Sequence, residues 1–278
     1  MQVDAHQHFW RLDDAGRDWP PPHLTAIHRD FGPHDLAPLL DRHGIAATVL
    51  VQSMPCEDET RRMLELADRH ASIAGVVGWT DLKALDAGAR IASLARHPKL
   101  RGLRPMLQCL DEDWIDDPAL APACGAMTAA GLSFDALVMP RHLRALGTFA
   151  RRHPALPIVI DHAAKPAIGA GCDAPWKAEM ALLAGLPNVH CKLSGLVTEA
   201  APGWTVDALR PYVAHLLDCF GPARLMWGSD WPVLNLAADY GSWLHAASCL
   251  LSHLDGREQA QIFGLNACRF YGLKRTPL

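Results

Sequence analysis

Two hydrophobic periodicities alternate along the chain. Short runs dense in valine, isoleucine and leucine are each followed by a segment whose apolar positions return every three or four residues. The first pattern suits a strand buried on both faces, the second a helix with one buried face. After a first strand opening at Val3, strands are predicted over 47–52, 73–79, 100–107, 132–138, 158–162, 189–194 and 225–230. Helices are predicted over 34–43, 57–70, 85–97, 119–130, 140–153, 175–184 and 206–220. The remainder, 237–271, reads as helical with a break near Asp255-Gly256. Eight strands alternating with helices predict a (β/α)8 barrel of the TIM type, one domain over 1–278 with extra C-terminal helices. The alternative, an open doubly wound sheet, would carry glycines after strand one to receive a nucleotide, and none stand there.

A second regularity follows the helices. Arg42-His43, Arg69-His70, Arg96-His97 and Arg152-His153 each close a helix just before the next strand. Cations in a last turn complement the helix dipole, so these histidines are read as helix ends and not as ligands. The segment 11–33, with Trp19-Pro20-Pro21-Pro22, is too irregular for a helix and leaves the end of strand one, where it would cover whatever site lies there.

Composition narrows the function. The chain has 278 residues, half of them hydrophobic, a net charge of −4 and a pI near 6.4. Its cations are scattered, which argues against nucleic acid or an acidic membrane as a partner. Nothing reads as a membrane span, and the chain runs directly into strand one without a leader pattern, so a cytoplasmic protein is expected. The eight cysteines (56, 109, 124, 172, 191, 219, 249 and 268) form no C-x-x-C pair and are read as buried, reduced thiols.

Residues able to do chemistry gather at the predicted C-terminal strand ends. Strand one offers His6 and His8, strand four Arg104, strand six His162, strand seven Lys192 and Ser194, and strand eight Asp230. Side-chain alternation predicts that Asp4, His6 and His8 face the barrel axis while Val3 and Ala5 face out. It likewise turns Gly102 and Arg104, His190 and Lys192, and Met226 and Asp230 inward. Asp161, beside His162, is expected to point away and serve structure. Two histidines with an aspartate oxygen can hold a divalent ion, His162 being a further candidate ligand, and Asp230 could take a proton from water. Arg104 and Lys192 could hold a substrate oxygen or a developing oxyanion. Arg104 is expected to touch substrate and not to pair with a loop carboxylate such as Asp81 or Asp111. Trp10, Trp19, Trp79 and Trp231 could meet the apolar face of a sugar ring.

Four stretches together resemble the amidohydrolase superfamily: Val3-Asp4-Ala5-His6-Gln7-His8-Phe9-Trp10, the histidine of Asp161-His162-Ala163-Ala164-Lys165-Pro166, Lys192-Leu193-Ser194-Gly195 and Trp227-Gly228-Ser229-Asp230-Trp231-Pro232. More narrowly they are similar to its sugar-lactonase-like branch. The resemblance implies a distorted (β/α)8 barrel that hydrolyses a cyclic ester, with Asp230 as general base, His6, His8 and His162 in the site, and Arg104 and Lys192 as substrate contacts. Strand five has no lysine to bridge two metals, so at most one ion is expected, zinc by its donors, and members of the branch that work without metal make it dispensable. A neutral sugar lactone is preferred to a pyrone dicarboxylate, which would need several arginines. A metal-dependent decarboxylase of an aromatic acid and a non-catalytic sugar-binding barrel are the readings from other classes.

Overall fold

A computed structural model describes residues 1–171 and 174–273. Cys172 and the last five positions of the expected domain lie outside the described residues. Eight parallel strands form one sheet in sequential order: β1 (Gln2–Gln7), β2 (Ile45–Val51), β3 (Ile73–Gly78), β4 (Leu100–Leu103), β5 (Ser133–Ala136), β6 (Ile158–Ile160), β7 (Val189–Leu193) and β8 (Leu225–Trp227). The ring closes just past β8, where Gln7 bridges Trp231 and the His8 amide donates to the Trp231 carbonyl at 2.8 Å. The barrel expectation is borne out. Strands four and eight are shorter than predicted, because the chain leaves the ladder before Arg104 and before Asp230 to build the mouth.

Each strand is followed by a helix: α1 (Pro33–His43), α2 (Glu57–Arg69), α3 (Ala87–Leu94), α4 (Ala121–Ala129), α5 (Leu143–Arg152), α6 (Ala174–Ala184), α7 (Val206–Phe220) and α8 (Tyr240–Leu250). Their ends follow local chemistry. Glu57, Asp58 and Glu59 fill the first turn of α2, and the Thr205 side chain caps α7 by accepting from the Ala208 amide. The helices' apolar stripes meet the outward strand residues in the main core, where Phe134, Trp227 and Leu103 are fully buried. A second, smaller core fills the barrel with Val3, Ala5, Val49, Val77, Val159 and Met226. Short helices α9 (Gly256–Ala260) and α10 (Asn266–Phe270) close the N-terminal end of the barrel, with Asn266 Nδ2 donating to the Leu225 carbonyl at 2.7 Å and Tyr271 entering the inner core.

That inner core corrects the reading of strand one. Val3 and Ala5 face the axis, whereas Asp4 points to the helical layer and accepts from the Tyr240 hydroxyl at 3.0 Å. The β1–β2 register breaks between Asp4 and Gln7, and this irregularity swings His6 back inside, so His6 and His8 still share the mouth. The cysteines are also less uniform than expected: Cys124 and Cys191 are buried, Cys109 is exposed, and Cys56, Cys219, Cys249 and Cys268 lie between.

Candidate active site

Two unusual backbone turns carry the central side chains. After β6, His162, Ala163, Ala164 and Lys165 all have positive φ (53°, 50°, 60° and 52°), and after β8 Asp230 has φ 58°. Non-glycine residues there cost about 1–2 kcal/mol each, so the surroundings must hold them. The Trp176 indole donates to the Ala163 carbonyl at 2.7 Å, and the Asp230 amide donates to the His6 carbonyl at 2.8 Å. Strain of this kind at strand ends is characteristic of functional sites.

Three imidazoles and one carboxylate oxygen converge there. Asp230 Oδ1 lies 3.3 Å from His8 Nε2 and 3.7 Å from both His6 Nε2 and His162 Nε2, and the Nε2 atoms of His6 and His8 are 3.1 Å apart. His8 Nδ1 is 2.8 Å from the Val51 carbonyl, and His162 Nδ1 is 2.8 Å from Ser194 Oγ. Nδ1 of His8 is committed as donor to that carbonyl, which turns its Nε2 edge toward the cluster. Burial pulls His162 down to about 4 and holds His6 well below the ordinary histidine range, so both rings are neutral at pH 7. Burial would raise the Asp230 carboxyl, but His162, His8 and His6 outweigh it and keep it ionised well below the usual carboxylate range.

Donors around a tetrahedral zinc ion sit about 3.3 Å apart, given bonds of about 2.0–2.1 Å. The 3.1–3.7 Å spacings of His6, His8 and Asp230 match that edge, and their ligand atoms all lie within 4.8 Å of one another. His162 belongs to a second, overlapping group with His6 and Asp161. The donor set therefore fits one divalent ion, with His6, His8 and Asp230 as its core and His162 adjoining.

Three residues that the sequence reading missed or misplaced lie directly beneath. Asp161 is fully buried and faces the axis: Val159, two residues before it, belongs to the inner core, and alternation carries Asp161 to the same side. Its carboxylate lies 3.4 Å from His6 Nδ1, 3.3 Å from Arg104 Nη1 and 2.9 Å from Lys192 Nζ. Burial alone would raise this carboxyl, but Lys192, His6 and Arg104 hold it well below the ordinary range. Asp135 accepts from Lys192 at 2.8 Å and from the Tyr271 hydroxyl at 2.6 Å. A charged residue inside the apolar run Phe134-Asp135-Ala136 was the available signal for Asp135, since a buried carboxylate demands a partner.

The remaining candidates separate by position. A cavity of about 620 Å³ opens above the cluster, and His8, His162, Asp230 and Arg104 are on its wall. The 11–33 segment supplies Arg17, Asp18, Trp19 and Pro21. Arg104 is paired, but with Asp161 and the Gln52 carbonyl, neither Asp81 nor Asp111, and its Nε has no hydrogen-bond partner among the described residues. Lys192 has no exposed surface and does not reach the cavity, because Asp135 and Asp161 hold its ammonium below His6. Trp10 and Trp231 are committed to packing: Trp10 stacks edge-on against Trp19 and Phe31 and donates to the Arg29 carbonyl, and Trp231 packs against Phe9 and Phe31. Of the four tryptophans expected to meet a sugar, Trp19 is on the wall.

A strained, histidine-rich metal-type site at the C-terminal mouth of a (β/α)8 barrel defines the class. The amidohydrolase family model matches residues 3–273, and the chain belongs to that family. It is 56% identical to an L-fucono-1,5-lactonase of Burkholderia ambifaria over 99% of this chain and 97% of that protein. It is 40% identical to an L-fucono-1,5-lactonase of Burkholderia multivorans over 98% and 96%. A crystal structure of an amidohydrolase from Burkholderia multivorans with bound zinc superposes with a TM-score of 0.94 at 38% identity, over 99% of this chain and 100% of that one.

Proposed function

We propose that this protein is a lactonase that opens a neutral six-carbon sugar lactone, L-fucono-1,5-lactone or a close stereochemical relative, to the aldonic acid. The carrying observation is that Asp230, ionised and ringed by three imidazoles, faces a cavity whose lining cations are all already paired. Arg17 pairs with Glu59 at 3.0 Å, Arg104 with Asp161 at 3.3 Å and Lys165 with Glu199 at 3.1 Å. Among the described residues the wall thus offers no spare positive charge for a dicarboxylate or an aromatic acid, whereas a polyol needs only hydrogen bonds. The likeness to two L-fucono-1,5-lactonases supports the same substrate class.

Asp230 accepts a proton from a water molecule as that water attacks the lactone carbonyl carbon. Arg104, at the cavity wall, donates to the oxyanion that develops on the carbonyl oxygen. As the tetrahedral intermediate collapses, the ring carbon–oxygen bond breaks and Asp230 returns its proton to the departing oxygen. The sum is lactone plus water giving hydroxy acid. His162, held by Ser194, orients the water beside Asp230. Held by His6, His8 and Asp230, with His162 adjoining, one zinc ion would supply Lewis acidity toward water and carbonyl. Trp19 presents an apolar face to the sugar.

No helix among the described residues is long and apolar enough to cross a membrane. We place the protein in the cytoplasm, acting on a small molecule without nucleic-acid or membrane partners, with the whole chain as one catalytic domain. Acid release from a panel of aldonolactones, alongside a pyrone dicarboxylate and a hydroxybenzoate, tests the assignment. Turnover confined to neutral lactones supports it; turnover of either acid in preference overturns it.

A further inference from the structure

One carboxylate outside the cavity gathers donors from two of the loops that line it. Glu59, buried in the first turn of α2, accepts the Ser53 and Met54 backbone amides on Oε2 at 2.9 and 3.0 Å. Its other oxygen, Oε1, accepts the Ser53 hydroxyl and Arg17 Nη2, the latter at 3.0 Å. Arg17, Ser53 and Met54 are all on the cavity wall, whereas Glu59 is not. The β2–α2 loop and the 11–33 segment thus meet on a single anion.

The Arg17 guanidinium carries the hold further. Its side chain is only 2% exposed, although it belongs to a loop whose Arg11 and Asp13 side chains are 68% and 70% exposed. Nη1 donates to the Trp19 carbonyl at 3.2 Å, and Nη2 also reaches Asp14 at 3.3 Å and Ser53 Oγ at 3.0 Å. Trp19 is thereby fixed on the wall through its own backbone. The base of the segment is closed independently, by Trp10 and Phe31 exchanging backbone hydrogen bonds at 3.1 and 2.9 Å. Glu59 is therefore not needed to keep the segment on the barrel; it sets where the tip of the segment lies. An apolar pair of the same volume would hold a fold as well as a buried ion pair does, so the pair's use here points to placement.

We propose that Glu59 is a positioning residue for substrate selectivity. By clamping Arg17 and the 53–54 backbone it sets the part of the cavity wall, Trp19 included, against which the non-reacting face of the sugar lactone fits. Glu59 touches no substrate and takes no part in the bond-breaking steps, whose residues Arg104, His162 and Asp230 follow β4, β6 and β8. Contacts with a non-reacting part of a substrate are made alike in the ground state and the transition state, so their loss is read in KM and not in kcat. This kinetic consequence rests on the lactonase reading, whereas the hold of Glu59 on the 11–33 segment does not.

Glu59→Gln is the direct probe, because a carboxamide keeps the size of the side chain but offers one oxygen. Whichever way it turns, its NH2 group faces either the two backbone amides or the Arg17 guanidinium, so it cannot serve both loops. For L-fucono-1,5-lactone the expected result is a KM raised by about tenfold with kcat within about threefold of the wild type, and an unchanged circular dichroism spectrum. Trypsin should cut after Arg17 about tenfold faster in the variant, because cutting samples the locally opened segment. A folded variant with wild-type KM, a loss confined to kcat, or an unchanged rate of cutting each overturns the proposal. If Glu59→Gln does not fold, Arg17→Lys is read by the same two measurements, since one ammonium cannot span Glu59, Ser53, Asp14 and the Trp19 carbonyl. Should the wild type turn over no neutral lactone, the lactonase reading falls by itself, and the rate of cutting still decides whether Glu59 holds the segment.

Discussion

His162 and Asp230 sit at the ends of non-adjacent strands, both in left-handed backbone (φ 53° and 58°), and their side chains meet with His162 Nε2 3.7 Å from Asp230 Oδ1. The strain is offset by contacts that leave no room for adjustment. Gly195, itself at φ 63°, is the clearest: a Cβ there would lie 2.7 Å from His162 Nδ1. Gly195→Ala should therefore displace the His162 ring from Ser194 and reduce kcat at least tenfold, while the circular dichroism spectrum stays that of the wild type. Wild-type kcat in this variant would show that the placement of His162 is unimportant.

Arg104 has two duties that one substitution can separate. Its guanidinium balances Asp161 beneath the floor, and the same side chain is on the cavity wall. Arg104→Met should lower stability by about 2–3 kcal/mol, since a buried carboxylate loses a partner, and should reduce kcat/KM by a further ~2 kcal/mol equivalent. Denaturant midpoints and steady-state kinetics on the same preparation check both. A lowered midpoint with unchanged kcat/KM would confine Arg104 to structure.

What the sequence made legible, and what it concealed, divides along a physical line. Strand and helix order followed from periodicity, and the strand-end residues His6, His8, Arg104, His162 and Asp230 could be placed at one mouth because a barrel gathers strand ends. Errors arose where alternation was extended through irregular backbone. Asp4 and Ala5 were exchanged because a register break between Asp4 and Gln7 is invisible in composition. Asp161 was turned outward because His162 was assumed to continue the strand, whereas His162 reaches the mouth through a left-handed turn and Asp161 keeps the inward place. The Tyr271–Asp135 contact joins residues 136 positions apart, which only closure of the barrel's base brings together.

The Lys192 seat limits the ion content. Its ammonium already occupies the space among Asp135, Asp161 and His6 Nδ1, where a second cation would otherwise find its ligands. Elemental analysis should find no more than one tightly bound divalent ion per chain, zinc foremost. Two ions per chain would contradict this arrangement.

Acid sensitivity should have a source remote from the mouth. His190 packs against the Phe270 ring at a centroid distance of 4.8 Å, its Nδ1 has no hydrogen-bond partner among the described residues, and burial lowers the imidazole to about 4. Its folded-state value lies below the ordinary 6.5, so between the two the unfolded chain binds a proton that the folded chain does not. Stability is therefore complete above pH 6.5 and is lost as pH falls toward 4. His190→Leu should flatten that decline by about 1–2 kcal/mol in urea titrations at pH 7 and pH 4.5. An equally steep decline in the variant would exclude His190 as its source.

The central claim is that Asp230 moves the proton in the opening of a neutral sugar lactone. Following acid release from L-fucono-1,5-lactone with a pH indicator, above the spontaneous rate and with wild type and Asp230→Asn side by side, tests it most directly. The wild type should release acid rapidly, and the folded Asp230→Asn protein should be slower by about three orders of magnitude. Near-normal turnover by Asp230→Asn, or no turnover of any neutral lactone by the wild type, would contradict the account.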